Sequence, residues 1–173
     1  MTGGPGSGKT TIALLKAKKV ISSLAAGQEI LFLSFSRAAV RQVLTRCKSV
    51  LNRDERRVIE VQTYHSFCLE GLRSHGRLLN GIQAQITYPD VERIERAEFE
   101  GDWSKELARR AKADGIFAFD QFAGAIANII EGCVAVRELI GRKYPLVIVD
   151  EFQDTDDDQW RIVAALSSVT TIV

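Results

Sequence analysis

The run GGPGSGKTT at residues 3–11 restricts what this chain can fold into more than any other stretch. Gly3, Gly8, Lys9 and Thr10 satisfy the spacing G-x-x-x-x-G-K-[ST], a loop that wraps phosphate groups and opens a helix. Its glycines let backbone N–H groups turn inward around phosphate oxygens, and the positive end of the following helix faces the same point. The candidate nucleotide contacts are therefore Gly3, Gly4, Pro5, Gly6, Ser7, Gly8, Lys9, Thr10 and Thr11. Lys9 is placed to reach the β and γ phosphates, and the Thr10 hydroxyl to hold Mg²⁺, a hard ion that prefers oxygen and keeps several waters. The plainer alternative is a Gly-rich turn capping an ordinary helix; every fixed position being present, with a helix in place behind it, weighs against that. Such a loop follows a buried strand, yet only Met1 and Thr2 precede Gly3, so that strand is expected to be absent from this chain.

Near the other end stands YPLVIVDEFQDTDDDQW, where the apolar run Leu146–Val149 breaks into Asp150, Glu151, Asp154, Asp156, Asp157 and Asp158. That much negative charge directly after a buried strand calls for a cation. Asp150 falls at the carboxyl tip of the strand, the edge where parallel sheets bind ligands and where a phosphate loop also lies. A carboxylate there holds Mg²⁺ through a water, as a Walker-B aspartate does, and Glu151 can orient and deprotonate an attacking water. The metal and Lys9 would offset Asp150 and Glu151. Asp156, Asp157 and Asp158 are expected to open the next helix, where negative charge suits the dipole. Capping alone is the structural alternative for the whole cluster.

Between these ends, short apolar runs alternate with helical patterns. A helix is expected from Lys9 to Ala26, with Ile12, Leu15, Val20 and Leu24 on its apolar side and Gly27 as its stop. EILFLSF and VIEVQ read as strands, each followed by a helix, from about Ala38 to Leu51 and from near Thr63. Charged helical patterns between Gly71 and Gly115 look like an inserted patch. Asp120 is a candidate cap for a helix carrying Phe122, Ile126, Ile129 and Ile130. This alternation predicts an α/β domain with a mainly parallel sheet. The 173 residues suit one domain, and their 46% hydrophobic share suffices for a core. Cys47, Cys68 and Cys133 are odd in number and widely spaced, without a leader peptide, which indicates reduced cytoplasmic thiols. No apolar run approaches the roughly 20 residues of a membrane span.

GGPGSGKT, LFLSFSRAAV, VQTYHSFCLEGL and VIVDEFQDT stand in the order of motifs I, Ia, Ib and II of superfamily 1 DNA helicases, and the chain resembles their UvrD/Rep/PcrA group. The resemblance implies a RecA-like P-loop NTPase core: residues 1–75 and 116–173 would form subdomain 1A, and 76–115 a reduced, helical 1B-like insertion. It also implies ATP and Mg²⁺ as ligands, metal coordination by Asp150, water activation by Glu151, and a relay role for Gln153 with Asp154. Phe35, Ser36 and Arg37 match motif Ia; Thr63, His65 and Ser66 match motif Ib. In the family both segments line the path of single-stranded DNA. Hydroxyls and helix starts grip phosphates, and an aromatic stacks on a base for about 1–3 kcal/mol. Each has an alternative: Phe35 as core, His65 as a structural histidine, and the basic run Arg41–Arg57 as a solvated helix face.

Motifs III to VI and the second RecA-like domain are not found, and with them go the arginines that stabilise the transferred phosphate, worth about 10³–10⁵ in rate in related NTPases. The family's adenine-reading glutamine lies upstream of motif I. The expectation is thus the ATP-binding core fragment of a 3′–5′ DNA helicase that binds Mg-ATP weakly and hydrolyses it barely or not at all by itself. A non-catalytic nucleotide- or DNA-binding remnant or regulator is the rival; a small P-loop kinase is opposed by DEFQDT.

Overall fold

A computed structural model of the chain describes residues 8–173. In chain order its elements are helix α1 (Lys9–Ile21), strand β1 (Ile30–Ser34), α2 (Arg37–Val50), α3 (Arg53–Arg57), β2 (Ile59–Thr63), α4 (Tyr64–His75) and α5 (Arg77–Asn80). Then follow β3 (Gln85–Thr87), α6 (Pro89–Glu98), α7 (Trp103–Asp114), β4 (Ile116–Ala118), α8 (Phe122–Gly132), α9 (Val134–Lys143), β5 (Leu146–Val149), α10 (Asp157–Leu166) and β6 (Thr171–Ile172).

Four strands make one parallel sheet in the order β2-β1-β5-β6. The central strand β1, ILFLS, is buried along its whole length because helices cover both of its faces. Ile30 and Phe32 face one layer, packing with Leu14 and Ala17 of α1, Val43 and Cys47 of α2, and Leu146 and Ile148 of β5. Leu31, Leu33 and Val147 face the other, among Tyr64, Leu72, Ile126, Ile130, Ile162 and Leu166 from α4, α8 and α10. The α/β class with a parallel sheet is the one the sequence predicts. Since all four strands run the same way, their carboxyl ends share one edge.

Three local expectations need correction. Helix α1 ends at Ile21, short of Ala26, because the Ser22 and Ser23 hydroxyls donate to the carbonyls of Lys19 and Val20 and close its last turn. Its core stripe is Leu14 and Ala17, with Ala13, Val20, Ile21 and Leu24 beside them, whereas Ile12 and Leu15 are 43% and 48% exposed. The 13-14-17-20-21-24 series is the longer run at helical spacing, so it takes the sheet. Asp120 caps nothing: it lies in a 3-10 turn, Phe119–Gln121, and the Gln121 side chain instead accepts from the Ala118 N–H at 3.0 Å.

Within residues 76–115, β3 pairs in parallel with β4, which lies just beyond them, in a two-stranded sheet formed from either side of α6 and α7. Helix α6 turns its acids inward. Trp103 Nε1 donates to Glu92 at 3.1 Å and Arg110 to Glu95 at 2.6 Å, leaving Val91 and Ile94 48% and 59% exposed.

Candidate functional site

Of the candidate nucleotide residues, Lys9, Thr10, Asp150, Glu151 and Gln153 meet at the carboxyl edge of the large sheet. Parallel pairing of β1 with β5 continues one residue past the strand, as the Asp150 N–H donates to the Leu33 carbonyl at 3.0 Å. This fixes Asp150 at the tip. Opposite it begins α1, whose N-cap, Gly8, has φ 78°, a conformation costly for any residue with a Cβ, and offers no side chain to the first-turn amides. A cavity of about 500 Å³ lies between, lined by Lys9, Thr10, Asp150, Glu151 and Gln153 over apolar walls that include Phe32 and Ile148. Thr11 is half-buried on α1 and does not line it. Gly3, Gly4, Pro5, Gly6 and Ser7 lie outside the described residues.

Glu151 is held in an unusual way. Its φ of 52° is the only positive value at a non-glycine among the described residues. That conformation costs on the order of 1–3 kcal/mol and persists only when the surroundings enforce it. Here the turn between β5 and the 3-10 segment Phe152–Asp154 enforces it, and Gln153 Nε2 donates to its carboxylate. Burial, and then the charge of Glu151, push the Asp150 carboxyl above the usual range, while Lys9 draws it back. Such an acid gains from a cation. No cluster of three or more metal-binding side chains exists among the described residues. Asp150 and the Thr10 hydroxyl form the sparse oxygen set that suits Mg²⁺, which takes its other ligands from phosphates and water.

A second cavity, of about 340 Å³, gathers Phe35, Arg37, Thr63, His65 and Ser66 from three elements and adds Tyr88, Phe119 and Phe122. Phe35 packs against Tyr64 with ring centroids 5.2 Å apart. His65 stacks on Phe119 at 3.9 Å, nearly parallel at 9°. Burial lowers the His65 pKa against the opposing charges of Asp120 and Asp156, which favours a neutral ring. The Thr63 hydroxyl caps α4, accepting from the Ser66 N–H at 3.1 Å. Ser36 is the one candidate of this set that does not line the cavity. Its hydroxyl caps α2 instead, accepting from the Ala39 N–H at 3.0 Å. Phe119, 38% exposed, was not singled out by sequence reasoning, because nothing near it in the chain forms a pattern; only folding brings it onto His65.

The UvrD/REP helicase N-terminal domain family matches residues 1–101 and, again, residues 92–173. The chain belongs to that family. Among its UvrD-like relatives, the ATP-dependent DNA helicase UvrD1 of Mycobacterium leprae is 22% identical over 213 aligned positions, covering 94% of this chain and 27% of that protein. The ATP-dependent DNA helicase PcrA of Staphylococcus aureus is 25% identical over 216, covering 95% and 29%. The RecB subunit of the RecBCD enzyme of Mycolicibacterium smegmatis is 33% identical over 87 residues, 49% of this chain and 8% of that one. The chain thus spans little more than a quarter of the length of the UvrD1 and PcrA relatives. Both of those alignments are longer than the chain itself, so these relatives carry internal residues that it lacks, and the two family matches overlap at 92–101, on α6 and the loop after it.

No helix among the described residues is long and apolar enough to cross a membrane. The thiols of Cys47, Cys68 and Cys133 are free, and burial pushes that of Cys68 up to about 12, which leaves it unreactive.

Proposed function

We propose that this chain is the ATP-binding core of a UvrD-like helicase that hydrolyses ATP to move along single-stranded DNA, 3′ to 5′. Residues 1–75 and 116–173 form its 1A-like subdomain, and 76–115 a shortened insertion. The observation that carries this is the single cavity holding Lys9 and Thr10 together with Asp150 and Glu151, from opposite ends of the chain. Lys9 offsets the charge of the β and γ phosphates. Thr10 and Asp150 would hold Mg²⁺, which when bound would neutralise phosphate charge. Glu151, fixed by its turn and by Gln153, orients the attacking water and takes its proton. The residues from Gly3 to Thr11 other than Pro5, which has no N–H, supply backbone donors to the phosphates.

The aromatic cavity is the wall of the DNA path. Phe35 and Phe119 offer ring faces to bases, while Thr63, His65, Ser66 and Arg37, with the Ser36-capped start of α2, meet phosphate and sugar. Its partners are single-stranded DNA and a second RecA-like domain, whose arginines complete the ATP site. Steady-state ATP hydrolysis with and without oligo(dT), by the 173-residue chain and by the longer parent protein, tests this reading. DNA-stimulated turnover is expected from the parent only, and is lost in Glu151→Gln. A parent that neither binds nor hydrolyses ATP would establish the non-catalytic alternative, and brisk turnover by the short chain would remove the need for the second domain.

A further inference from the structure

Ser34 is completely buried at the carboxyl end of β1, and its hydroxyl has no hydrogen-bond partner among the described residues. Folded proteins seldom leave such a group idle, and when they do it calls for an explanation. The β1–β5 ladder supplies one. It pairs Phe32 with Ile148 and Leu33 with Val149, then runs on through the Asp150 N–H to the Leu33 carbonyl. The next pair in that register is Ser34 beside Asp150. Side chains alternate along a strand, and Ile30 and Phe32 of β1 and Leu146 and Ile148 of β5 all face the α1–α2 layer. Ser34 and Asp150 extend those two rows on the same face, from strands about 5 Å apart. Asp150 lines the nucleotide cavity and Ser34, wholly buried, does not.

We propose that Ser34 is a positioning residue for Asp150: when the metal binds, its hydroxyl donates to the carboxylate oxygen turned away from the cavity and holds the rotamer in which the other oxygen faces the metal. This rests on the reading of Asp150 as a Mg²⁺ ligand. The idle hydroxyl gains this partner only as the ion draws the carboxylate into place, and outer hydrogen bonds of this kind are worth about 10–100-fold in metal affinity. Ser34 never touches nucleotide. Its other register neighbour is Thr63 of β2, so the hydroxyl lies between the strand tips that lead to the two cavities.

The test is calorimetric titration of ATP into the 173-residue chain in Mg²⁺ and in EDTA, with the ratio of the two affinities as the readout. Ser34→Ala is expected to lower that ratio about tenfold and leave affinity in EDTA unchanged. Ser34→Thr, which keeps the hydroxyl, is expected to restore it to within about twofold. The ligand-free Ser34→Ala chain should melt no lower than the native one, since the hydroxyl has no partner to lose. An unchanged ratio in Ser34→Ala, or a reduced one accompanied by a lower melting temperature, overturns the proposal. Asp150→Asn separates it from the reading beneath: a lowered ratio there with none in Ser34→Ala removes Ser34 alone, whereas an unchanged ratio in Asp150→Asn removes both.

Discussion

The two cavities use their residues in opposite ways. At the proposed nucleotide edge the candidate groups are left over from the fold: Asp150 has its proton affinity raised by burial, Glu151 occupies a strained backbone, and Gly8 leaves the start of α1 without a side-chain cap. In the aromatic cavity the same groups are already employed. Thr63 caps α4, Phe35 packs on Tyr64 and His65 is stacked on Phe119, while Ser36, outside the cavity, caps α2. One region therefore holds free energy that a ligand can release. The other would have to give up existing contacts to bind one.

This contrast predicts which substitutions separate function from stability. The largest effect should come from Phe119→Ala. Losing one stacking ring is expected to weaken oligo(dT) binding by about 1–3 kcal/mol, roughly 5- to 150-fold, with little change in ATP affinity; fluorescence anisotropy with labelled oligo(dT) measures it, and equal affinity would remove Phe119 from the DNA wall. Next is Thr63→Ala, which takes away a helix cap. It should cost about 1 kcal/mol, or about 2–4 °C in Tm, and leave nucleotide binding unaffected. A variant that melts like the native chain would show that the aromatic cavity is not doubly employed.

The smallest effect reverses in sign. Because burial and Glu151 raise the Asp150 pKa, the folded chain holds that proton more tightly than the unfolded chain. This group's contribution to stability therefore falls as pH rises from about 4 through the raised value. Asp150→Asn removes the cost and should melt slightly higher than the native chain at pH 7. The advantage should vanish below about pH 4, where the acid is protonated in both states. Thermal melts across that range check it, and a lower Tm at pH 7 would mean that Asp150 is satisfied in the ligand-free fold.

Much of this was legible in the sequence, and what was not has identifiable causes. GSGKTT and VIVDEFQDT carry their chemistry at fixed local spacing, so Lys9, Thr10, Asp150 and Glu151 could be named before any coordinate. The buried strand ILFLS and the acidic helix start at Asp156 follow from patterns a few residues long, whereas the Ser36 and Thr63 hydroxyls, read from the sequence as DNA contacts, turn out to cap α2 and α4. The register of α1 was misjudged because the segment TIALLKAKKVI offers two apolar stripes, and only the sheet decides between them. Asp120 resembles a cap, yet a 3-10 turn intervenes before α8. The strands QIT and IFA are too short to show periodicity. The outward Val91 and Ile94 of α6 depend on Trp103 and Arg110 drawing its glutamates inward, partners that no local pattern announces.

The most direct test of the central claim, that the two ends of the chain enclose one metal-bound triphosphate, is calorimetry of Mg-ATP with the native chain and with Lys9→Ala. Weak but measurable binding is expected in the first and none in the second, with both melting at the same temperature, since the lost ammonium leaves phosphate charge uncompensated. Equal affinity in the two proteins would contradict the account.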